Sequence, residues 1–410
     1  MSELKQGTMI KLTNGGQVKV QKELGRGGQG IVYLCEFNGQ QFALKWYIQK
    51  YDDTFYNNLK TNIANDRLSK SKSFLWPLML TEKQHNSFGY VMKLRPQEYK
   101  EMGQFLLAKA KFSSVGAMLN AAFQICEGFN MLHREGLSYQ DINDGNFFIN
   151  PTTGDVLICD NDNVTAQGQN LGIAGKMRYM APEIVLGSKP DRYSDYFSLS
   201  VVLFLIFFNN HPLEGQRTLV PCMTEDYEKK FFGAEPLFIY DRNDKSNLPV
   251  SGIHTNVIKR WPSYPELLKT TFMEALSQEC MKTATKRPIM PKWEKVLTEI
   301  RNSLVIDANG NEHFTKPGEK PQFAIQTDSE GTIVLSPKKM VFIGKSLTPV
   351  AQVRINKADT SVWALQNLTS EKWMVETASG KLKEVAPNEI MPTKPGLKIT
   401  FPNKVKGTVI

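Results

Sequence analysis

The segment Leu24-Gly25-Arg26-Gly27-Gly28-Gln29-Gly30-Ile31-Val32 restricts the folds open to this chain more than any other. It sets three glycines at G-x-G-x-x-G spacing between two alternating apolar runs. Val18 and Val20 precede it, Ile31 and Tyr33 follow it, and Phe42 and Leu44 come after an Asn38-Gly39 turn. Period-two alternation broken by Asn-Gly turns predicts antiparallel strands and hairpins over residues 9–46. The glycines then form a hairpin tip. A dinucleotide fingerprint would need a helix after the last glycine, and a P-loop would need Gly-Lys-Ser/Thr. The sequence has neither here. A tip without Cβ atoms lets backbone N–H groups approach phosphates. A plain Gly-rich turn satisfies the same pattern, so the rest of the chain has to decide.

Two further features bear on that choice. Lys45 lies in Ala43-Leu44-Lys45, in the strand after the hairpin. A lysine facing inward from an apolar strand needs an anionic partner, and a nucleotide phosphate would serve; an edge lysine facing water is the plain alternative. Apolar residues at Met118, Ala122, Ile125, Phe129 and Leu132 then predict a long amphipathic helix over 113–133. Ser138-Tyr139-Gln140-Asp141-Ile142-Asn143-Asp144-Gly145-Asn146 follows it. After two short predicted strands (147–150 and 155–159) comes Asp160-Asn161-Asp162-Asn163-Val164. Phosphoryl transfer to a hydroxyl needs a base and oxygen ligands for Mg²⁺. Asp141, Asn146 and Asp160 are of those types, and the strand pair could bring them together. A calcium loop is excluded, because Thr165 and Leu171 stand where Gly and Glu would be required.

Composition sets the class and compartment. The 410 residues are 41% hydrophobic and 22% charged, as in a globular protein of two or three domains. Cys35, Cys126, Cys159, Cys222 and Cys280 are scattered without C-x-x-C, which predicts free thiols in a reducing compartment. The start has no apolar signal-like stretch. The longest mostly apolar run, 197–208, is too short to span a bilayer. A cytoplasmic protein without membrane association is expected. The net charge is +9, and no dense Lys/Arg run points to nucleic acid. Residues 315–410 hold 14 Lys+Arg against 8 Asp+Glu, so +6 of that charge lies in the last quarter.

In order, the chain also gives Ala181-Pro182-Glu183, then Asp195-Tyr196-Phe197-Ser198-Leu199 opening an apolar helix, and Lys286-Arg287-Pro288. Together with the Gly-rich tip, Ala-Leu-Lys and D-x-x-x-x-N, this series resembles the eukaryotic-type protein kinase fold. Phe74-Leu75-Trp76-Pro77-Leu78, Asp160-Asn161-Asp162-Asn163-Val164 and Asn210-His211-Pro212-Leu213-Glu214-Gly215 resemble a bacterial branch. That branch is associated with von Willebrand A-domain and phosphatase partners in tellurite-resistance-type gene clusters.

The resemblance implies an ATP- and Mg²⁺-dependent protein serine/threonine kinase acting on a protein hydroxyl. Its Gly25, Gly27 and Gly30 would cover the ATP phosphates, and Lys45 would bind them. Val32, Ala43, Met92 and Leu94 would line the nucleotide site, with Met92 at the gatekeeper position. Asp141 would be the base, and Asn146 and Asp160 would hold Mg²⁺. Glu183 would pair with Arg287, and Asp195 would brace the catalytic loop.

Four departures qualify this. Gln140 replaces the arginine that receives a loop phosphate, so activity should not depend on phosphorylation at Thr165 or Tyr179, the acceptors between 160 and 183. Asn143 replaces a lysine that would contact the γ-phosphate. Asp162 replaces a glycine, as a turn cap or a second cation ligand. The helix predicted over 54–69 has no well-placed glutamate for Lys45; the register points to Asn62. A nucleotide-binding scaffold without turnover, or a small-molecule kinase, would be compatible with these changes.

Beyond Phe314-Thr315-Lys316-Pro317-Gly318-Glu319-Lys320-Pro321 the texture turns to short β-type runs. The predicted architecture is α+β: a two-lobed kinase-like unit over 1–303 (small lobe about 9–94, large lobe about 95–303), a linker over 304–323, and a basic all-β sandwich-like module over 324–410. Ile343-Gly344-Lys345-Ser346, Trp363-Ala364-Leu365-Gln366-Asn367-Leu368 and Pro395-Gly396-Leu397-Lys398-Ile399 resemble a forkhead-associated β-sandwich. Lys345 stands where such domains use arginine, and their Ser-x-x-His element is missing. A structural or docking module is expected over a phosphothreonine reader.

Overall fold

The computed structural model describes residues 3–172, 175–316, 318–356 and 358–410. Met1 and Ser2, and Pro317 of the expected linker, lie outside them. The Gly-rich tip belongs to a six-stranded antiparallel sheet. Its strands are β1 (Met9–Lys11), β2 (Gln17–Arg26), β3 (Gly30–Phe37), β4 (Gln40–Tyr47), β5 (Met79–Leu80) and β6 (Gly89–Met92), in the order β1-β2-β3-β4-β6-β5. Strand alternation divides its side chains between two apolar layers. Val18, Val20, Ile31, Tyr33, Leu44 and Trp46 fill one. Ala43, Tyr47, Tyr90 and Met92 face the other, against Phe55 and Leu59 of helix α1 (Asp53–Ile63).

The helix predicted over 54–69 is two. Asp52 caps α1 by accepting from the Phe55 N–H, and α1 ends at Ile63. Asn65 then accepts from the Leu68 N–H and starts a separate turn, Asp66–Ser69. An Asn side chain that bonds its own backbone competes with helix continuation.

The large lobe is built around α2 (Val115–Arg134), α3 (Arg192–Phe208), α4 (Glu266–Ala275) and α5 (Met290–Asn302). Ser114 caps α2, and Asp191 with Ser194 forms a capping box on α3. Nearly every residue of α3 is buried, which suits a helix apolar on all sides. Among the described residues, no helix is long and apolar enough to cross a membrane. Strands β7 (Phe147–Ile149) and β8 (Val156–Ile158) pair antiparallel on this helical body. β7 leaves from Asn146 and β8 returns to Asp160, so this hairpin brings the two ends of the acidic segment together.

The span 304–323, expected as a linker, departs from that expectation. It contains the hairpin β9 (Leu304–Ile306) and β10 (Glu312–Phe314), and Leu304 and Phe314 join the large-lobe core. Glu312 accepts from the Gly116 N–H at 2.8 Å, satisfying a free donor at the start of α2. Beyond it lie a six-stranded and a four-stranded antiparallel sheet that share one core, including Val353, Leu365, Trp373, Val375 and Ile399. This is the expected sandwich. Sequence alternation missed Ala324–Thr327, Leu382–Val385 and Ile390–Pro392. The second is an edge strand with one buried residue, so it has little periodic signal.

Candidate active site

The Gly-rich tip reaches the segment after Asp160, where Gln29 Nε2 donates to Asn163 Oδ1 at 3.4 Å. The Gly27 N–H donates to the Gly30 carbonyl at 2.9 Å, and Gln49 Nε2 donates to the Gly28 carbonyl at 2.8 Å. A Cβ on Gly25 or Gly27 would meet open space, so the backbone there is free to approach a ligand. Gly30 is glycine for another reason: a Cβ there would lie 2.5 Å from the Trp46 carbonyl of the neighbouring strand. Beneath the tip, Val32, Ala43, Met92 and Leu94 gather in one apolar cluster with Phe148 of β7 and Cys159. Leu171, from the long loop after Asp160, also packs on it; no motif marked that residue. Arg95 lies 4.0 Å from the centre of the Phe148 ring.

Lys45 faces inward, with a side chain only 5% exposed. Its Nζ is 3.4 Å from Asp160, and 2.9 and 3.1 Å from the two oxygens of Asp162. Gln29 Oε1 of the Gly-rich tip accepts from it at 2.9 Å. Burial opposes the ammonium charge, but Asp160 and Asp162 outweigh it and hold the pKa above the ordinary lysine value. The expected turn-cap role of Asp162 does not fit these contacts. Its side chain is wholly buried and accepts from Lys45, from Tyr47 Oη at 2.6 Å and from Tyr90 Oη at 3.2 Å. Asn62 occupies the helix position that the register singled out. It turns to the backbone instead, donating to the Val164 carbonyl at 2.7 Å, as Asn58 does at 2.8 Å.

Asp141 sits opposite, on the large lobe. Asn143 Nδ2 donates to its carboxylate at 2.9 Å, and Asn146 Nδ2 to its carbonyl at 2.8 Å. Burial raises the Asp141 pKa above the usual aspartate value; Asn143, Asn146 and Lys176 pull it down, and Asp160 pushes it up. The loop is braced as expected: Asp195 accepts from the Tyr139 N–H at 2.9 Å and the Gln140 N–H at 3.4 Å. Gln140 and Asp160 adopt left-handed backbone, with φ of 70° and 54°. Such conformations in residues other than glycine persist only where surrounding contacts enforce them.

The donor set suits a hard divalent cation, which prefers oxygen ligands. Asn146 commits its amide nitrogen to Asp141, which turns its oxygen the other way. Asp160 is 39% exposed and open to the cleft. Asn143 carries no charge, but the ammonium of Lys176 reaches the same loop, 2.7 Å from Asp144.

Hydrogen bonds anchor the described part of the loop after Asp160. Gln140 Nε2 donates to the Gln169 carbonyl at 2.6 Å. Thr165 is fully buried and bonds Gln169; Tyr179 is buried too. Glu183 meets Arg287 in the expected pair, two parallel bonds of 2.7 Å each.

A Gly-rich sheet over a helical lobe, with an inward lysine, a loop aspartate and an Asn–Asp oxygen pair, supplies the kinds of group that phosphoryl transfer requires. The chain belongs to the protein kinase family: residues 18–289 match the family model described as protein kinase domain. It is 28% identical over 207 residues to the protein kinase C delta type of Rattus norvegicus, covering 48% of this chain and 30% of that protein. It is 25% identical over 207 residues to the probable serine/threonine-protein kinase PknB of Corynebacterium glutamicum, covering 47% of this chain and 31% of that one. The chain thus spans about a third of the length of these curated relatives. The kinase domain of Mycobacterium tuberculosis PknI superposes with a TM-score of 0.47 at 17% identity, over 73% of this chain and 99% of that one.

Proposed function

We propose that this chain is an ATP- and Mg²⁺-dependent protein serine/threonine kinase that transfers the γ-phosphate of ATP to a protein hydroxyl. The observation that carries this reading is the convergence of Lys45, Asp141, Asn146 and Asp160 on one cleft beneath the Gly-rich tip. In it, Gly25, Gly27 and Gly30 let backbone N–H groups reach the phosphates, and Lys45 supplies a fixed cation. Val32, Ala43, Met92 and Leu94 take the base. Asp141 orients the acceptor hydroxyl and takes its proton. Asn146 and Asp160 would hold Mg²⁺, which supplies charge neutralisation on the phosphates. Lys176 is the cation available to the transferring phosphoryl group, where Asn143 offers none.

The same reading assigns 1–303 to the catalytic unit and 324–410 to a docking or structural module. Lys345 does not favour phosphothreonine recognition, because its ammonium is held 2.6 Å from Glu294 of α5. Von Willebrand A-domain and phosphatase proteins are the partners that the sequence resemblance suggests. A cytoplasmic setting is in keeping with five free cysteines.

The test is transfer of label from γ-labelled ATP with Mg²⁺ to generic protein acceptors, beside Asp141→Asn. Label above the variant supports the kinase. No label above the variant with any acceptor supports a non-catalytic scaffold.

A further inference from the structure

A buried ammonium needs a fixed anion, and α1 offers Lys45 none. We propose that Asp162 positions Lys45 for phosphate binding in place of a carboxylate on α1, so that the cation is set by the segment carrying Asp160 and not by where α1 lies. This rests on the kinase reading above and names how its site is assembled.

Three observations carry it. First, an ionised carboxylate offers about four acceptor positions, and the bonds to Lys45, Tyr47 and Tyr90 take four. Nothing is left for a second cation, and the wholly buried side chain does not open on the cleft. The two carboxylates therefore divide the work: Asp160 faces the cleft and Asp162 faces the small-lobe sheet.

Second, the partners of Asp162 come from adjacent strands. Lys45 and Tyr47 are on β4 and Tyr90 on β6, paired Lys45 to Tyr90 across the ladder. The carboxylate is thus latched to a rigid sheet 115 and 117 residues away in sequence. Burial and then Asp162 hold both tyrosine hydroxyls protonated, so they remain donors.

Third, α1 spends its inward polar residues elsewhere. Asn58 and Asn62 both donate to the Val164 carbonyl, and neither touches Lys45. α1 thus reaches the segment 160–164 through two neutral bonds and supplies no charge to Lys45.

The test uses the full-length chain and compares Asp162→Asn with the same substitution carrying Asn62→Glu. The readouts are kcat, KM for Mg-ATP, and affinity for a fluorescent ATP analogue. Loss of a preorganised charge contact in such a site lowers kcat by about 10²-fold. We expect that loss in Asp162→Asn, together with weaker analogue binding. Asn62→Glu should recover about tenfold by returning the carboxylate from the helix side. Turnover and affinity within about twofold of the native chain would overturn the proposal. So would failure of Asn62→Glu to recover either readout. Lys45→Met and Lys45→Met/Asp162→Asn guard against misfolding, since removing both charges leaves no buried ion unpaired. If Asp162 acts through Lys45, the double variant is no worse than Lys45→Met; a further tenfold loss would contradict that. A native chain that transfers no phosphate would defeat the kinase reading alone. The analogue affinities would still decide the role of Asp162.

Discussion

Burial lifts the Asp141 carboxyl, and two amides and Lys176 pull it back. A base must be ionised to accept a proton, so turnover holds above its pKa and falls as pH drops through it. The acid limb of the kcat/KM profile is therefore expected above the ordinary aspartate value of 3.8. A limb at or below that value would contradict the burial argument. Lys176 gives a second prediction at this scale. Lys176→Ala should lower kcat about tenfold with little change in KM for ATP, and Asn143→Lys in that background should restore it. Steady-state kinetics of the three proteins would check this. Motif order singled out Lys45, Asp141, Asn146 and Asp160, and Lys45 and Asp160 lie 3.4 Å apart. The contact of Asp162 was not legible: its partners lie more than seventy residues away, and the direction of a loop side chain leaves no periodic trace. Gln29 escaped because it too is a loop side chain, although Lys45 lies only 16 residues away.

At the scale of elements, alternation and i, i+4 spacing located the small-lobe sheet, α1 and α2, because each buries one face. They failed where local chemistry overrode the period, as at Asn65, and where a strand buries little, as at Leu382–Val385. The hairpin in the expected linker was hidden by its polar turn, although Leu304 and Phe314 are core residues. The β7–β8 turn tests how tightly these elements join. Gly154 has φ +75°, and a Cβ there would lie 1.9 Å from the Ala117 carbonyl of α2. Gly154→Ala is expected to destabilise the protein by about 2 kcal/mol or more, read as a lowered denaturation midpoint. The backbone of α2 has no room to yield, so a neutral result would mean that the turn is not packed as described.

Across the whole molecule, the β-module is fastened to α5. Arg301 donates to the carbonyls of Gly344 and Ser346, and its guanidinium lies between the rings of Phe123 and Phe342. Lys339 is buried at the same junction and donates to the carbonyls of Asn302 and Val334. Burial and then Arg301 lower its pKa to about 7, with Glu312 opposing. The unfolded chain therefore binds more protons than the folded one between about 7 and the ordinary lysine value of 10.5, and stability should rise with pH across that window. Below about 7 the full penalty is present. Lys339→Met should flatten the rise, as measured by urea unfolding at several pH values. The excess positive charge of the last quarter was legible from sequence. Its partial use against the large lobe, through Lys345 and Lys339, was not.

Transfer of phosphate by this site, as against binding of nucleotide alone, is what the proposed roles of Asp141 and Lys45 require. A single-turnover reaction of the full chain with Mg-ATP and an excess of protein acceptor, beside Asp141→Asn, addresses it directly. Phosphoserine or phosphothreonine is expected on the acceptor with the native chain, and a loss of about 10²-fold or more with the variant. ATP bound by the native chain with no phosphoamino acid formed would contradict this.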